Sequence, residues 1–266
     1  MGTTALFGVG MMGGAILQGL LASDSFTDEI VIVEKRAERA AELEDVFGVK
    51  NLSDEAAAQL ADTILLMVKP QDMGDLLNQI GGFVKPGTLV ISVAAGIKTE
   101  FIESKLQNGV SVVRVMPNTP ALMGEGLSVL SAGKNCTNEA LTKAEKIMAS
   151  TGKTLIVDED LQNSVTAVSG SGPAYIFYVA EAMIAAGQKL GLSQEAAHEL
   201  TVQTIVGAAK MLRDANKSPE TLRQNVTSPN GTTARAIATF DEHKVREAFE
   251  AGMQACHDRS KELSEG

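Results

Sequence analysis

A short apolar strand, Ala5-Leu6-Phe7, runs directly into Gly8-Val9-Gly10-Met11-Met12-Gly13, and an apolar helical run follows, Ala15-Ile16-Leu17-Gln18-Gly19-Leu20-Leu21. Strand, Gly-x-Gly-x-x-Gly, helix is a narrow instruction. The first glycine permits the tight strand-to-helix turn, the second lets a pyrophosphate approach the backbone, and the third lets helix and strand pack closely. The helix N-terminus adds free N–H groups and a partial positive charge for the phosphates. With 25 glycines in the chain the spacing alone can arise by chance. Its position is what gives it weight. A second strand, Ile30-Val31-Ile32-Val33, follows at βαβ spacing and ends in Glu34, about twenty residues past Gly13. The alternative reading is a plain tight turn.

The alternation continues. Strand candidates are Ala5–Gly8, Ile30–Val33, Thr63–Val68, Leu89–Val93, Val112–Val115, Leu127–Ser131 and Leu155–Val157, with helical runs such as Ala37–Phe47 and Asp72–Ile80 between them. Continuous apolar strands such as Ile64-Leu65-Leu66-Met67-Val68 suit a sheet covered on both faces. The expected fold is therefore an α/β, doubly wound, Rossmann-type sheet over residues 1–158. From Glu159 the strand signal stops, and residues 159–266 read as an all-α domain. There, Tyr175–Ala186 carries Glu181 as its only charge, and Leu200–Leu212 carries only Lys210. Helices without a polar face must be buried on several sides, and a domain of this size has little room for two. Packing against another subunit resolves this and is favoured over burial within one chain.

Composition removes several function classes. The net charge of -10 argues against a nucleic-acid surface. The longest apolar runs are interrupted and too short to span a membrane, and no N-terminal signal pattern is seen. Two cysteines, Cys136 and Cys256, provide no disulfide framework and no metal spacing, which fits a reducing cytoplasm. His198, His243 and His257 sit among charged, helix-like neighbours. Neither histidine catalysis nor a metal centre is expected.

Chemistry is sought at strand ends, where open parallel sheets hold ligands. Val68-Lys69-Pro70-Gln71 closes one strand candidate, with a turn proline beside a solvated lysine as the plain alternative. Ala94-Ala95-Gly96 closes the next with small residues that would admit a flat ring, or form a tight left-handed turn. Met116-Pro117-Asn118-Thr119-Pro120 is stiffened by two prolines, and Asn118 offers either a ligand-facing amide or an Asx-type turn. In the helical half, Ser228-Pro229-Asn230-Gly231-Thr232-Thr233 precedes the run Ala234–Phe240. Hydroxyls and a glycine at a helix start make an N-cap or a carboxylate site. Ser169-Gly170-Ser171-Gly172-Pro173 breaks the run before Tyr175 and reads as a hinge, a packing notch or a site rim.

Taken together these segments resemble the pyrroline-5-carboxylate reductase family. The residues that carry the likeness are Gly8–Gly13, Val68–Gln71, Ile91–Ile97, Arg114–Pro120, Val168–Tyr175 and, most specifically, Leu222–Thr233. Many members have glycine where Asn230 stands; asparagine tolerates the same left-handed geometry. The resemblance implies a Rossmann domain joined to a helical dimerisation domain, and reduction of the cyclic imine 1-pyrroline-5-carboxylate to L-proline with NADP(H) or NAD(H). It implies a homodimer that in some members assembles into a decamer, with the helical domain of one chain facing the cofactor of another. By this likeness Thr233 bonds the substrate nitrogen, and Ser228, Asn230, Gly231 and Thr232 hold the carboxylate. The cofactor falls to Gly8, Gly10, Met11, Met12, Gly13, Glu34, Lys35, Arg36, Val68, Lys69, Pro70, Ala94, Ala95, Gly96 and Asn118. Glu34 would bind ribose hydroxyls and favour NADH, whereas Lys35, Arg36 and Arg39 would embrace a 2′-phosphate and favour NADPH. Rival readings are a broader imine reductase, a β-hydroxyacid dehydrogenase and a non-catalytic NAD(P)-binding sensor. The dehydrogenase normally needs a lysine on the long helix of its second domain, and Gly172–Gly187 contains none.

Overall fold

The computed structural model of the chain describes residues 2–265. In the sheet region β1 (Thr3–Phe7) feeds α1 (Met11–Leu21), and β2 (Glu29–Val33) feeds α2 (Ala37–Phe47). A two-residue β3 (Lys50–Asn51) and α3 (Asp54–Leu60) follow, then β4 (Thr63–Leu66), α4 (Pro70–Ile80), β5 (Leu89–Ser92) and α5 (Thr99–Glu103). The region ends with β6 (Ser111–Met116), β7 (Gly126–Ala132), α6 (Asn138–Met148) and β8 (Gly152–Ile156). Strand order is β3-β2-β1-β4-β5-β6-β7-β8, parallel except where β7 runs antiparallel to β6. The order reverses between β1 and β4, which is where such sheets open a ligand crevice. Sequence pattern locates all the long strands. It misses β3, because two residues show no period, and it starts α4 two residues late, because Pro70 begins the helix rather than ending a loop.

The apolar strands are covered on both faces. Ala5, Phe7, Ile64, Leu66 and Val90 point to one side, against Ala57, Met73, Leu77 and Ile102. Leu6, Ile32, Leu65, Ile91 and Val113 point to the other, against Ile16, Leu17, Leu20 and Ile147. This is strict alternation within runs that read as continuously apolar. Burying such side chains contributes about 1.5–3 kcal/mol each, so the sheet is held from both sides.

Beyond β8 lie α7 (Gln162–Val165), a π-turn over Thr166–Gly170, α8 (Gly172–Lys189), α9 (Gln194–Asp214), α10 (Pro219–Asn225), α11 (Thr232–Glu242) and α12 (Val245–Glu265). Gly170 lies against the end of the Met116 side chain, whose Cε would have to move for a Cβ there, 2.5 Å away. The chain forms two compact units. One runs through Ser171 and takes in the end of α12 from Cys256; the other is Gly172–Ala255. Within the first, Arg114 is 5% exposed and pairs with Glu159 at 3.2 Å, while Glu159 also accepts hydrogen bonds from the backbone N–H and hydroxyl of Thr99. The Ser260 hydroxyl donates to Asn163 Oδ1 at 2.9 Å and anchors the end of α12.

The second unit differs in kind. Serine caps start α9 and α10, with Ser193 accepting from Ala196 N and Ser218 from Thr221 N. Gly187 allows α8 and α9 to approach, for a Cβ there would meet Ala197 Cβ at 3.2 Å. Yet only Ala197 and Thr201 are buried among its described residues. Phe177 is 62% and Tyr178 74% exposed. An apolar groove with a cavity volume of about 670 Å³ is walled by Tyr175, Tyr178, Met183, Phe240 and Phe249. The two unbroken apolar helices are thus not buried within this unit. No helix among the described residues is long and apolar enough to cross a membrane.

Candidate functional site

Strand register gathers the candidate cofactor residues. Phe7 is level with Val33 and with Leu66, and Leu66 with Ser92. The segments that follow these residues (Gly8–Gly13, Glu34–Arg36, Met67–Pro70 and Val93–Gly96) therefore leave the sheet at one carboxyl edge. Gly8 turns there with φ +83°, a conformation that costs other L-residues about 1–2 kcal/mol. Gly13 is needed for close approach, because a Cβ would stand 2.7 Å from Gly8 O and 3.1 Å from Met67 Cε. Gly10 faces open space, with nothing within 4 Å of where its Cβ would sit. It is also the N-cap of α1, and no side chain caps that helix. The α1 N–H groups are left for a ligand, as an anion site requires. Met11 is exposed beside them, while Met12 packs on the sheet core.

A cleft with a cavity volume of about 580 Å³ opens from this turn. Gly8, Gly10, Glu34, Lys35, Arg36, Val68 and Lys69 line it. Asp54, Asp72, Asp75 and Gln79 line it too, and sequence reasoning did not single them out. Ser53-Asp54-Glu55 ahead of an alanine-rich run is a helix-start signal that could have located Asp54; the Ser53 hydroxyl does accept from Ala56 N. Gly96 takes a left-handed turn with φ +76°, Ala94 is buried and Ala95 exposed. Pro70 is the first residue of α4. The Asn118 amide is engaged within the protein: Oδ1 accepts from Leu127 N at 2.9 Å, and Nδ2 donates to Ser169 Oγ at 3.2 Å. It ties the loop after β6 to the π-turn.

At the end of β2 the cations are exposed but paired with carboxylates. Arg36 Nε and Nη2 donate to Glu34 at 3.0 and 3.1 Å, and Arg36 N donates to Glu34 Oε1 at 2.9 Å. Val9 N donates to Glu34 Oε2 at 3.3 Å. The Arg36 guanidinium holds the Glu34 carboxyl below the usual glutamate range, against the effect of burial. Lys35 stands 3.9 Å from Asp54, and Arg39 pairs with Glu42 at 2.8 Å.

In the helical unit Ser228–Gly231 forms a turn, with Gly231 N donating to Ser228 O at 3.0 Å. Asn230 occupies the left-handed region at φ +59°, the geometry that asparagine tolerates. Gly231 is the N-cap of α11, and no side chain caps the helix. The hydroxyls of Ser228, Thr232 and Thr233 are therefore not spent as helix caps. Uncapped N–H groups and three hydroxyls at one helix start suit a carboxylate. Among the described residues no group of histidine, cysteine and carboxylate side chains could hold a metal ion.

Comparison with known proteins finds a match at each end of the chain. Residues 159–263 match the family model for pyrroline-5-carboxylate reductase dimerisation, and residues 3–96 match one described as NADP oxidoreductase coenzyme F420-dependent. The pyrroline-5-carboxylate reductase of Corynebacterium melassecola is 40% identical over 267 residues, covering 99% of both chains. The structure of a pyrroline-5-carboxylate reductase from Coxiella burnetii superposes with a TM-score of 0.93 at 35% identity, covering 99% of this chain and 98% of that one. A Plasmodium falciparum pyrroline carboxylate reductase with NADP bound gives a TM-score of 0.87 at 28% identity, with coverage of 99% and 98%. A likeness that runs the length of the chain, at 40% identity to one such enzyme, places it in the pyrroline-5-carboxylate reductase family.

Proposed function

We propose that the protein reduces 1-pyrroline-5-carboxylate to L-proline with NADPH, accepting NADH less well, and works as a cytoplasmic homodimer. The observation that carries this reading is 40% identity to a pyrroline-5-carboxylate reductase along 99% of the chain. The residues present fit a dinucleotide. Gly10 leaves room beside its backbone, α1 keeps its first N–H groups free, and the cleft beyond is lined by Lys35, Arg36 and Lys69. When bound, the reduced nicotinamide supplies the hydride that reaches the imine carbon.

The protein's own part is placement. Met11, Met12 and Gly13 at the start of α1 hold the pyrophosphate side, and Val68, Lys69, Pro70 and Ala94–Gly96 border the nicotinamide side. Asn118 keeps the neighbouring loop in place. Ser228 and the backbone of Asn230, Gly231 and Thr232 take the substrate carboxylate. The Thr233 hydroxyl bonds the ring nitrogen. A protonated imine is already electrophilic, so no histidine or carboxylate dyad is required. Holding the reacting carbons close and aligned can lower the barrier by several kcal/mol. We assign the substrate cluster of one chain to the cofactor of its dimer partner, and a decamer as the further assembly of such dimers.

The test follows NADPH absorbance in the presence of 1-pyrroline-5-carboxylate, with proline measured as product. Imine-dependent oxidation of NADPH is expected. Purified protein that binds NADPH but turns over no cyclic imine acid would leave only the sensor reading.

A further inference from the structure

In a dinucleotide site the acid at the end of β2 ordinarily accepts hydrogen bonds from the adenosine ribose. Glu34 stands at that position, but its carboxylate is already full. A carboxylate has about four acceptor positions. Here Oε1 accepts from Arg36 N and Arg36 Nε, and Oε2 accepts from Arg36 Nη2 and Val9 N. The side chain is 6% exposed, whereas that of Arg36 is 67% exposed. Arg36, not Glu34, is the member of the pair that a ligand in the cleft can reach.

The partners of Val9 give this arrangement a purpose. Val9 lies between Gly8 and Gly10; its side chain is buried in the sheet core, and its two backbone polar groups have to find partners there. Its N–H goes to Glu34 at 3.3 Å and its carbonyl accepts from Arg39 Nε at 3.4 Å. Both polar groups of the one non-glycine residue at the start of the turn are thus held by side chains from the β2–α2 segment. Gly8 N donates to Val33 O at 2.9 Å and extends the same attachment.

We infer that Glu34 is a positioning residue: with Arg39 it clamps the Val9 backbone and so fixes the glycine turn for the pyrophosphate, and it does not itself discriminate between a ribose hydroxyl and a 2′-phosphate. This rests on the reading of the cleft as a dinucleotide site. A clamp on the pyrophosphate turn serves both cofactors alike, because they are identical there. A ribose-binding carboxylate would treat them oppositely.

Dissociation constants for NADPH and NADH, from titration of the reduced cofactors' fluorescence, and steady-state kinetics with each would be measured on the full-length wild type, Glu34→Ala and Glu34→Gln. Loss of the Val9 hydrogen bond should weaken both cofactors by about tenfold. The NADPH/NADH ratio should change by less than about threefold, and the loss should fall on KM more than on kcat. Glu34→Gln, whose amide oxygen can still accept from Val9 N, should recover part of the affinity for both. If Glu34→Ala does not fold, Glu34→Gln is judged by the same ratio. A shift of about tenfold or more toward NADPH would overturn the inference, because it is the signature of a ribose-binding acid. Unchanged affinity for both cofactors would overturn it as well. If wild type binds neither, the dinucleotide reading has failed and the inference with it, whereas wild-type binding with a shifted ratio rejects the inference alone.

Discussion

The sheet unit and the helical unit use their apolar residues in opposite ways. In the first, two layers of helices close over strands whose side chains alternate, and residues such as Leu6, Phe7, Ile64 and Leu65 are wholly or almost wholly buried. In the second, Phe177, Tyr178, Phe240 and Phe249 remain exposed, and only Ala197 and Thr201 are buried among the described residues. Exposed apolar surface on this scale marks an interaction site. The lesson is that apolar content does not measure a unit's self-sufficiency. A sheet can be covered by helices of its own chain, while a few long helices have faces left over. That is consistent with the match of residues 159–263 to a dimerisation family.

The largest effect expected from this contrast is on assembly. Phe249→Asp puts a carboxylate into the groove that Tyr178 and Met183 also line. If the groove is covered in the dimer, an unpaired buried charge costs about 3–5 kcal/mol. Sedimentation should then show monomers, and activity should fall with the dimer. A dimeric, active Phe249→Asp protein would mean that this groove is not the seam.

The sheet unit offers the matching test inside one chain. Glu159→Ala strands the buried Arg114 guanidinium and removes two hydrogen bonds of Thr99. Because Glu159 is partly exposed, a loss of about 2–3 kcal/mol is expected, below the fully buried case. Denaturation midpoints should show it equally at low and high protein concentration. A loss seen only on dilution would tie this network to assembly instead.

A third prediction separates chemistry from folding within the helical unit. No side chain caps α11, so Thr233→Ala should leave the melting temperature nearly unchanged. Turnover should fall by the equivalent of about 1–3 kcal/mol of transition-state binding, with NADPH affinity preserved. A destabilised but fully active variant would make Thr233 a structural residue.

The smallest effect concerns pH. Glu34 has a folded-state pKa below its unfolded value, so its contribution to stability is complete above the unfolded value and is lost as pH falls through the folded one. Urea unfolding of wild type and Glu34→Gln should therefore show a stability gap at neutral pH that closes in acid. A gap that persists at the acid end would trace to packing rather than to the ion pair with Arg36.

Much of this molecule is legible in one dimension, for reasons that differ by region. Continuous apolar strands, the glycine turn and the break in pattern near Glu159 are local signals, and each has a local cause: two-sided burial, backbone clearance, and helices without a polar face. Asn230 belongs with them, since its left-handed φ is a property of the residue and its turn. What sequence left open was decided by partners distant in the chain. Nothing near Asn118 announces that its amide is taken by Leu127 and Ser169. Nothing in Glu34-Lys35-Arg36 tells a solvated run from a closed ion pair holding Val9, twenty-five residues upstream. Spacing along the chain determines where backbone can turn and which faces are apolar. Which polar atoms remain free for a ligand is settled only when distant donors and acceptors meet, because each hydrogen-bonding position can be filled once.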